Sequence, residues 1–172
     1  MKKFLIGSFT AVIILVSCSK SNDNQSVCNA NYDPCALKAP AGEIDSVKNY
    51  LIAHYDSIKK YSPAGADTIR HCSGLYYIID SLGTGKTPDI CSTVAFTYTG
   101  MLKDSSVFAN NQSAQVTLGQ LITGFKNILP QIKEGGGMHI YIPPSLAYGS
   151  QQVGNIPANS LLIFQVKLVS VQ

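Results

Sequence analysis

Apolar residues in the first half of the chain recur three and four positions apart. In "GEIDSVKNYLIAHYDSIKKY", Ile44, Val47, Leu51, Tyr55 and Ile58 share one face, the spacing of an amphipathic helix of about five turns. Ser62-Pro63-Ala64-Gly65 stops it, because proline disfavours helical geometry in the residue before it and glycine loosens the backbone after it. From Ser73 onward the period changes to two. "GLYYIID" predicts a strand that breaks at Gly83-Thr84-Gly85, with Pro88 keeping the loop out of a ladder. "CSTVAFTYTG" predicts a second strand, with Val94, Phe96 and Tyr98 on one face and Ala95 and Thr97 on the other. Tyr98 thus points its phenol toward the core, where a hydroxyl left unpaired costs about 1–3 kcal/mol. "SSVF" and "AQVTLG" read as further strands, so Tyr98 and Phe108 flank a hairpin turn. "LITGFKNILPQIKEGG" returns to helical spacing through Ile122, Phe125, Ile128 or Leu129, and Ile132, with Pro130 in its last turns. Alternation resumes in "MHIYIPP" and "SLLIFQVKLVSV", where Met138, Ile140 and Ile142, then Leu162, Phe164, Val166 and Leu168, line one face. The architecture predicted is α+β: an antiparallel β-sheet wrapped around one short helix, preceded by an N-terminal amphipathic helix.

The N-terminus reads as an address. Lys2 and Lys3 precede "FLIGSFTAVIILV", too short for the roughly 20 residues that span a bilayer. "LVSC" resembles a bacterial lipoprotein signal, in which the leader is cut before Cys18 and lipid is attached to that residue. More than one acyl chain makes anchoring stable. The domain organisation expected is a signal peptide over 1–17, lipidated Cys18 and a flexible tether over 18–40, helix and linker over 41–72, and the core domain over 73–172. A coil from Ser19 to Pro40 reaches about 26 Å. The expected location is a bacterial cell envelope, lipid-anchored to a membrane, at the outer membrane or the periplasmic face.

Charge narrows the partners. Charged residues are 13% of the chain, about half the usual share. Without Lys2 and Lys3 the 13 basic residues become 11 against 10 acids, a net charge of +1, which argues against nucleic acid. Cys28, Cys35, Cys72 and Cys91 form an even set; in an exported chain that suggests disulfides, with three connectivities open. No CxxC pair occurs and His54, His71 and His139 are scattered, so no metal is expected. Gly83 to Lys86 lacks the spacing of a phosphate loop. Ser145 sits in no nucleophile elbow. His139, opposite Met138 and Ile140, is expected on an exposed face.

"YTGML" with "VF", "LGQLITGF", "IPPSLAYG" and "IPANSLLIFQVKLV" occur in the order and spacing of a known family, and together they resemble the FK506-binding-protein type of peptidyl-prolyl isomerase over roughly Gly74 to Val171. The resemblance implies a shallow aromatic pocket that grips a prolyl residue, with no cofactor. It implies Tyr98 and Phe108 as facing walls, Leu121 and Ile122 as a rim with the Ile122 amide donating to substrate, and Phe125 as a floor where tryptophan is usual. Tyr148 would reach a substrate carbonyl, Phe164 would close the back and Ile156 would touch the ligand. The partners implied are proline-containing unfolded or exported polypeptides; oligomeric state stays open, and the N-terminal helix is either a packing appendage or a dimerisation or chaperone element.

Two positions depart from the family pattern. An aspartate usually follows the phenylalanine and accepts a hydrogen bond from the buried tyrosine; here it is Ala109. A matched aromatic in the strand before "TLG" is Ala114. Asn110, Asn111, a backbone carbonyl or water would then serve Tyr98. A non-catalytic peptide-binding or chaperone module on the same fold is the alternative function.

Overall fold

A computed structural model of the chain describes residues 28–29, 31–61 and 68–172. The expected leader and Cys18 lie outside the described residues. None of the helices described is long and apolar enough to cross a membrane.

The amphipathic segment forms two helices, α1 (Ala41–Ala53) and α2 (Tyr55–Tyr61), not one. His54 separates them: its ring stacks on Tyr50 at 4.1 Å between centroids, and its Nδ1–H donates to the Tyr50 carbonyl at 2.9 Å. There the backbone leaves helical geometry, at φ -114° and ψ 17°, and the chain kinks. Val47 and Leu51 are buried as expected, but the kink turns Tyr55 out to solvent, and Tyr50 packs inward against Tyr141 instead.

Strands β1 (Ile69–Arg70), β2 (Tyr76–Ser81), β3 (Thr93–Leu102), β4 (Val107–Thr117), β5 (Gly137–Ile142) and β6 (Leu162–Val171) make one antiparallel sheet in the order β1-β2-β5-β6-β3-β4. "SSVF" and "AQVTLG" prove to be parts of the single strand β4, hairpinned to β3. Helix α3 (Thr123–Ile128) is shorter than its apolar spacing suggested. Pro130 lacks the amide that a further α-turn needs, so the chain tightens into a 3-10 turn at Leu129–Gln131 and extends at Ile132. Ile128 and Leu129 are both buried.

Helix α3 and the rings of β3 and β6 form the main core on one face of the sheet. Helix α1 lies across the other face, where Val47 and Leu51 meet Ile78, Tyr141, Leu161 and Ile163 in a second cluster. The second face is covered in part: Gln165, Lys167 and Val169 stay exposed, while His139 is 14% exposed with Nδ1 3.0 Å from Asp80 Oδ1. That corrects the exposed position expected from strand alternation, which cannot register a helix arriving from elsewhere in the chain.

Cys28 pairs with Cys91 and Cys35 with Cys72, their Cα atoms 4.7 and 5.5 Å apart. Closing loops of 63 and 37 residues stabilises the fold by about 4 kcal/mol for either bridge alone in the chain-entropy account. The described residues between Cys28 and Pro40 are thus not free coil. Tyr32 donates its hydroxyl to Asn127 Oδ1 on α3, the Lys126 ammonium lies 5.6 Å from the Tyr32 ring centroid, and Ala39 is buried in the main core. Only residues before Cys28 are left to serve as the expected tether, and they lie outside the described residues. The His71, Cys35 and Cys72 ligand atoms lie within 4.8 Å of one another, but the two sulfurs are joined in the disulfide.

Candidate functional site: an aromatic cluster under the Tyr148 loop

Tyr98 on β3 and Phe164 on β6 face the same side, each at an inward position of its strand's two-residue period, and their rings stand 6.0 Å apart. Phe125 rises from α3 to meet Phe164 edge-on at 4.9 Å. Phe96, which the family resemblance did not single out, joins Tyr98 at 5.7 Å and Phe125 at 5.6 Å. It shares the strand period of Tyr98, and that period was the available signal.

Phe108 enters by a different route. Between Tyr98↔Gln112 and Met101↔Val107 the β3–β4 register shifts twice, and Asn111 takes φ 44°. Bulges of this kind re-aim side chains. They let two consecutive residues serve one face: Ala109 is buried in the core and the half-buried Phe108 ring meets Phe164 edge-on at 5.6 Å. Phe108 lies directly over Gly100. A Cβ at that position would fall 2.4 Å from the ring, so glycine is what lets the phenylalanine lie against β3.

Tyr148 sits in the loop after β5, rolled up by hydrogen bonds from the Leu146 N–H to the Pro143 carbonyl and from the Ala147 and Gly149 N–H groups to the Pro144 carbonyl. It packs half-buried against the ring cluster. Burial, and secondarily the neighbouring Tyr98, push its hydroxyl up to about 12; burial raises Tyr98 as well. Both phenols are therefore neutral hydrogen-bonding groups at ordinary pH.

Leu121, Ile122 and Ile156 are buried in the same cluster. Ile122 caps α3 and its carbonyl receives the amides of Phe125 and Lys126; its own N–H precedes the first helical turn, where the helix offers no internal partner. All eight pocket residues inferred from the sequence thus fall in one cluster, with Phe108 and Tyr148 at its open edge. The floor is closed, since Phe125 and Phe164 are 0% exposed beneath that edge. Ala114, opposite Phe96, leaves the β4 wall low. The site's chemistry is apolar contact together with neutral hydrogen-bond donors.

Residues 85–169 match the family model described as FKBP-type peptidyl-prolyl cis-trans isomerase. The chain carries an FKBP-type domain. It is similar to a probable FKBP-type peptidyl-prolyl cis-trans isomerase of Haemophilus influenzae, 34% identical over 140 residues that cover 78% of this chain and 58% of the relative. It is also similar to the FKBP-type peptidyl-prolyl cis-trans isomerase FkpA of Escherichia coli K12, 38% identical over 104 residues, 58% of this chain and 38% of that protein. The crystal structure of FkpA from Escherichia coli superposes with a TM-score of 0.60 at 30% identity, covering 77% of this chain and 63% of that one. The chain thus spans less than two thirds of the length of these FKBP-type relatives.

Proposed function

We propose that the domain is a peptidyl-prolyl cis-trans isomerase acting on X-Pro bonds of unfolded or exported polypeptides. One observation carries the reading: Tyr98, Phe108, Phe125 and Phe164 form one continuous ring cluster with Tyr148 packed at its edge, in a domain of the FKBP type. An X-Pro amide rotates over a barrier of about 18–20 kcal/mol because resonance is lost at the twisted geometry. The planar amide is the more polar form. An apolar surface strips water from it at greater cost to the ground state than to the twisted state, while the Ile122 N–H and the Tyr148 hydroxyl hold the flanking chain. Such differential stabilisation lowers the barrier by about tenfold in rate per 1.4 kcal/mol, and no acid, base or metal takes part.

The buried Ala109 and the closed floor favour a second reading, a peptide-binding or chaperone module of low turnover. Isomerisation of a prolyl tetrapeptide by the full chain decides between them. Catalysis that Tyr148→Phe reduces supports the enzyme, and suppression of aggregation without isomerisation supports the module. Ala109→Asp, which puts a carboxylate where the family pattern has one, is expected to raise turnover.

We place the protein in the bacterial cell envelope, anchored through lipid on Cys18. Two disulfides suit an oxidising compartment. Incorporation of labelled fatty acid that Cys18→Ser abolishes is the expected result; labelling that persists in the variant overturns the anchor.

A further inference from the structure

The loop that carries Tyr148 is held from an element outside the FKBP-matched residues. Its 3-10 turn, Pro144–Leu146, begins on a proline without an amide, so Ser145 supplies the first free N–H of the turn, a group that short helices cannot satisfy internally. That N–H donates to Glu43 Oε2 on α1 at 2.9 Å, across 102 residues of sequence. Glu43 is itself held in place. Ala39 donates its N–H to the Ser73 carbonyl at 2.8 Å, and Ile44, the next residue along α1, lies over Gly74, where a Cβ would fall 2.7 Å from the Ile44 side chain. Gly74 has φ +97°, a conformation suited to glycine. The Cys35–Cys72 bridge fastens the segment before α1 to the residue preceding Ser73.

We infer that Glu43 is a positioning residue for the isomerase site: its carboxylate caps the Ser145 N–H, fixes the 143–149 loop and so sets where the Tyr148 hydroxyl stands over the ring cluster. The inference rests on the isomerase reading for its catalytic consequence, but the brace itself is a structural statement that can be measured separately. The N-terminal helix is then part of the working site and more than a cover for the back of the sheet.

Three variants of the full chain test this: Glu43→Ala removes the acceptor, Glu43→Asp keeps the charge but shortens its reach, and Glu43→Gln keeps an acceptor at full reach. The readouts are kcat and KM on a prolyl peptide, amide hydrogen exchange at Ser145, and melting temperature. Glu43→Ala and Glu43→Asp are expected to lose about five- to tenfold in kcat with KM changed less. Their Ser145 amide should exchange at least about tenfold faster and their melting temperatures should stay close to the parent's. Glu43→Gln should retain most of the rate and the protection. Unchanged exchange at Ser145 in Glu43→Ala overturns the inference, as does a Glu43→Gln that behaves like Glu43→Ala, or a loss of rate that only tracks a fall in melting temperature. If the parent chain does not isomerise prolyl peptides, the isomerase reading fails, and the exchange data alone decide whether the brace exists.

Discussion

The two faces of the sheet each carry a packed cluster and yet differ in kind. On the face covered by α3 the neighbours are rings in direct contact, Phe96, Tyr98, Phe125, Phe164 and Phe108. On the other face α1 lays Val47 and Leu51 on Ile78, Tyr141 and Ile163, and where α1 stops a polar row crosses the strands, Thr99 to Gln165 to His139. A groove of about 370 Å³ opens there between α2 and the sheet. Adjacent residues of one strand serve opposite sides, as with Phe164 and Ile163 or Ile140 and Tyr141. Aromatic side chains, rigid and broad, build a surface that a planar prolyl ring can lie against. The back is built mostly of aliphatic side chains, and its ring Tyr141 is taken up by Tyr50 of α1 at 6.2 Å, so that face fits a helix. The comparison teaches that the same strands supply recognition on one face and support on the other.

Cutting into the ring cluster should separate the two faces most sharply. Phe164→Ala removes the ring that touches Tyr98, Phe108 and Phe125 and is expected to cost about 3–5 kcal/mol in urea unfolding while abolishing prolyl isomerisation. Replacing both Cys35 and Cys72 by serine should cost about 2–4 kcal/mol and leave the inner rings packed, which near-ultraviolet circular dichroism would report. Leu51→Ala, at the edge of the back cluster and 8% exposed, is expected to cost about 2 kcal/mol with KM unchanged. A change in KM as large as that from an inner-face variant would mean that the faces are not separate.

The smallest effect concerns pH. Tyr148 ionises only near pH 12 in the fold and at about 10 when unfolded. Its contribution to stability is therefore whole below about pH 10 and is lost as pH rises toward 12. Tyr98 shifts in the same direction through burial, so the contribution of Tyr148 is read as the difference between urea melts of the parent and Tyr148→Phe at successive pH values. Convergent curves as pH rises are expected; parallel curves would mean that Tyr148 ionises as it would in water.

Much of the site was legible because its residues obey local periods. Tyr98 and Phe164 stand on strands that alternate, and Phe125 on a helix with three- and four-residue spacing, so their faces follow from the backbone's own geometry. Phe108 and Ala109 were not legible in that way. Two consecutive residues on one face break the alternation, and the register shifts that permit it appear only when β4 is paired with β3. The role of Glu43 had no signal at all, since its partner is a backbone amide 102 residues away and any residue at position 145 except proline offers one.

Taken alone, the chain's pattern determined the α+β class, the strand faces and the short helix, because apolar periodicity is a local property that burial must respect, while the ring set followed from the resemblance of its motifs to a family. Tertiary structure decided the disulfide pairing, the kink at His54, the covering of the second face by α1, the closed floor of the ring cluster and the brace on the Tyr148 loop. These depend on which distant segments meet, and the free energy of such meetings belongs to pairs of surfaces that sequence spacing does not encode.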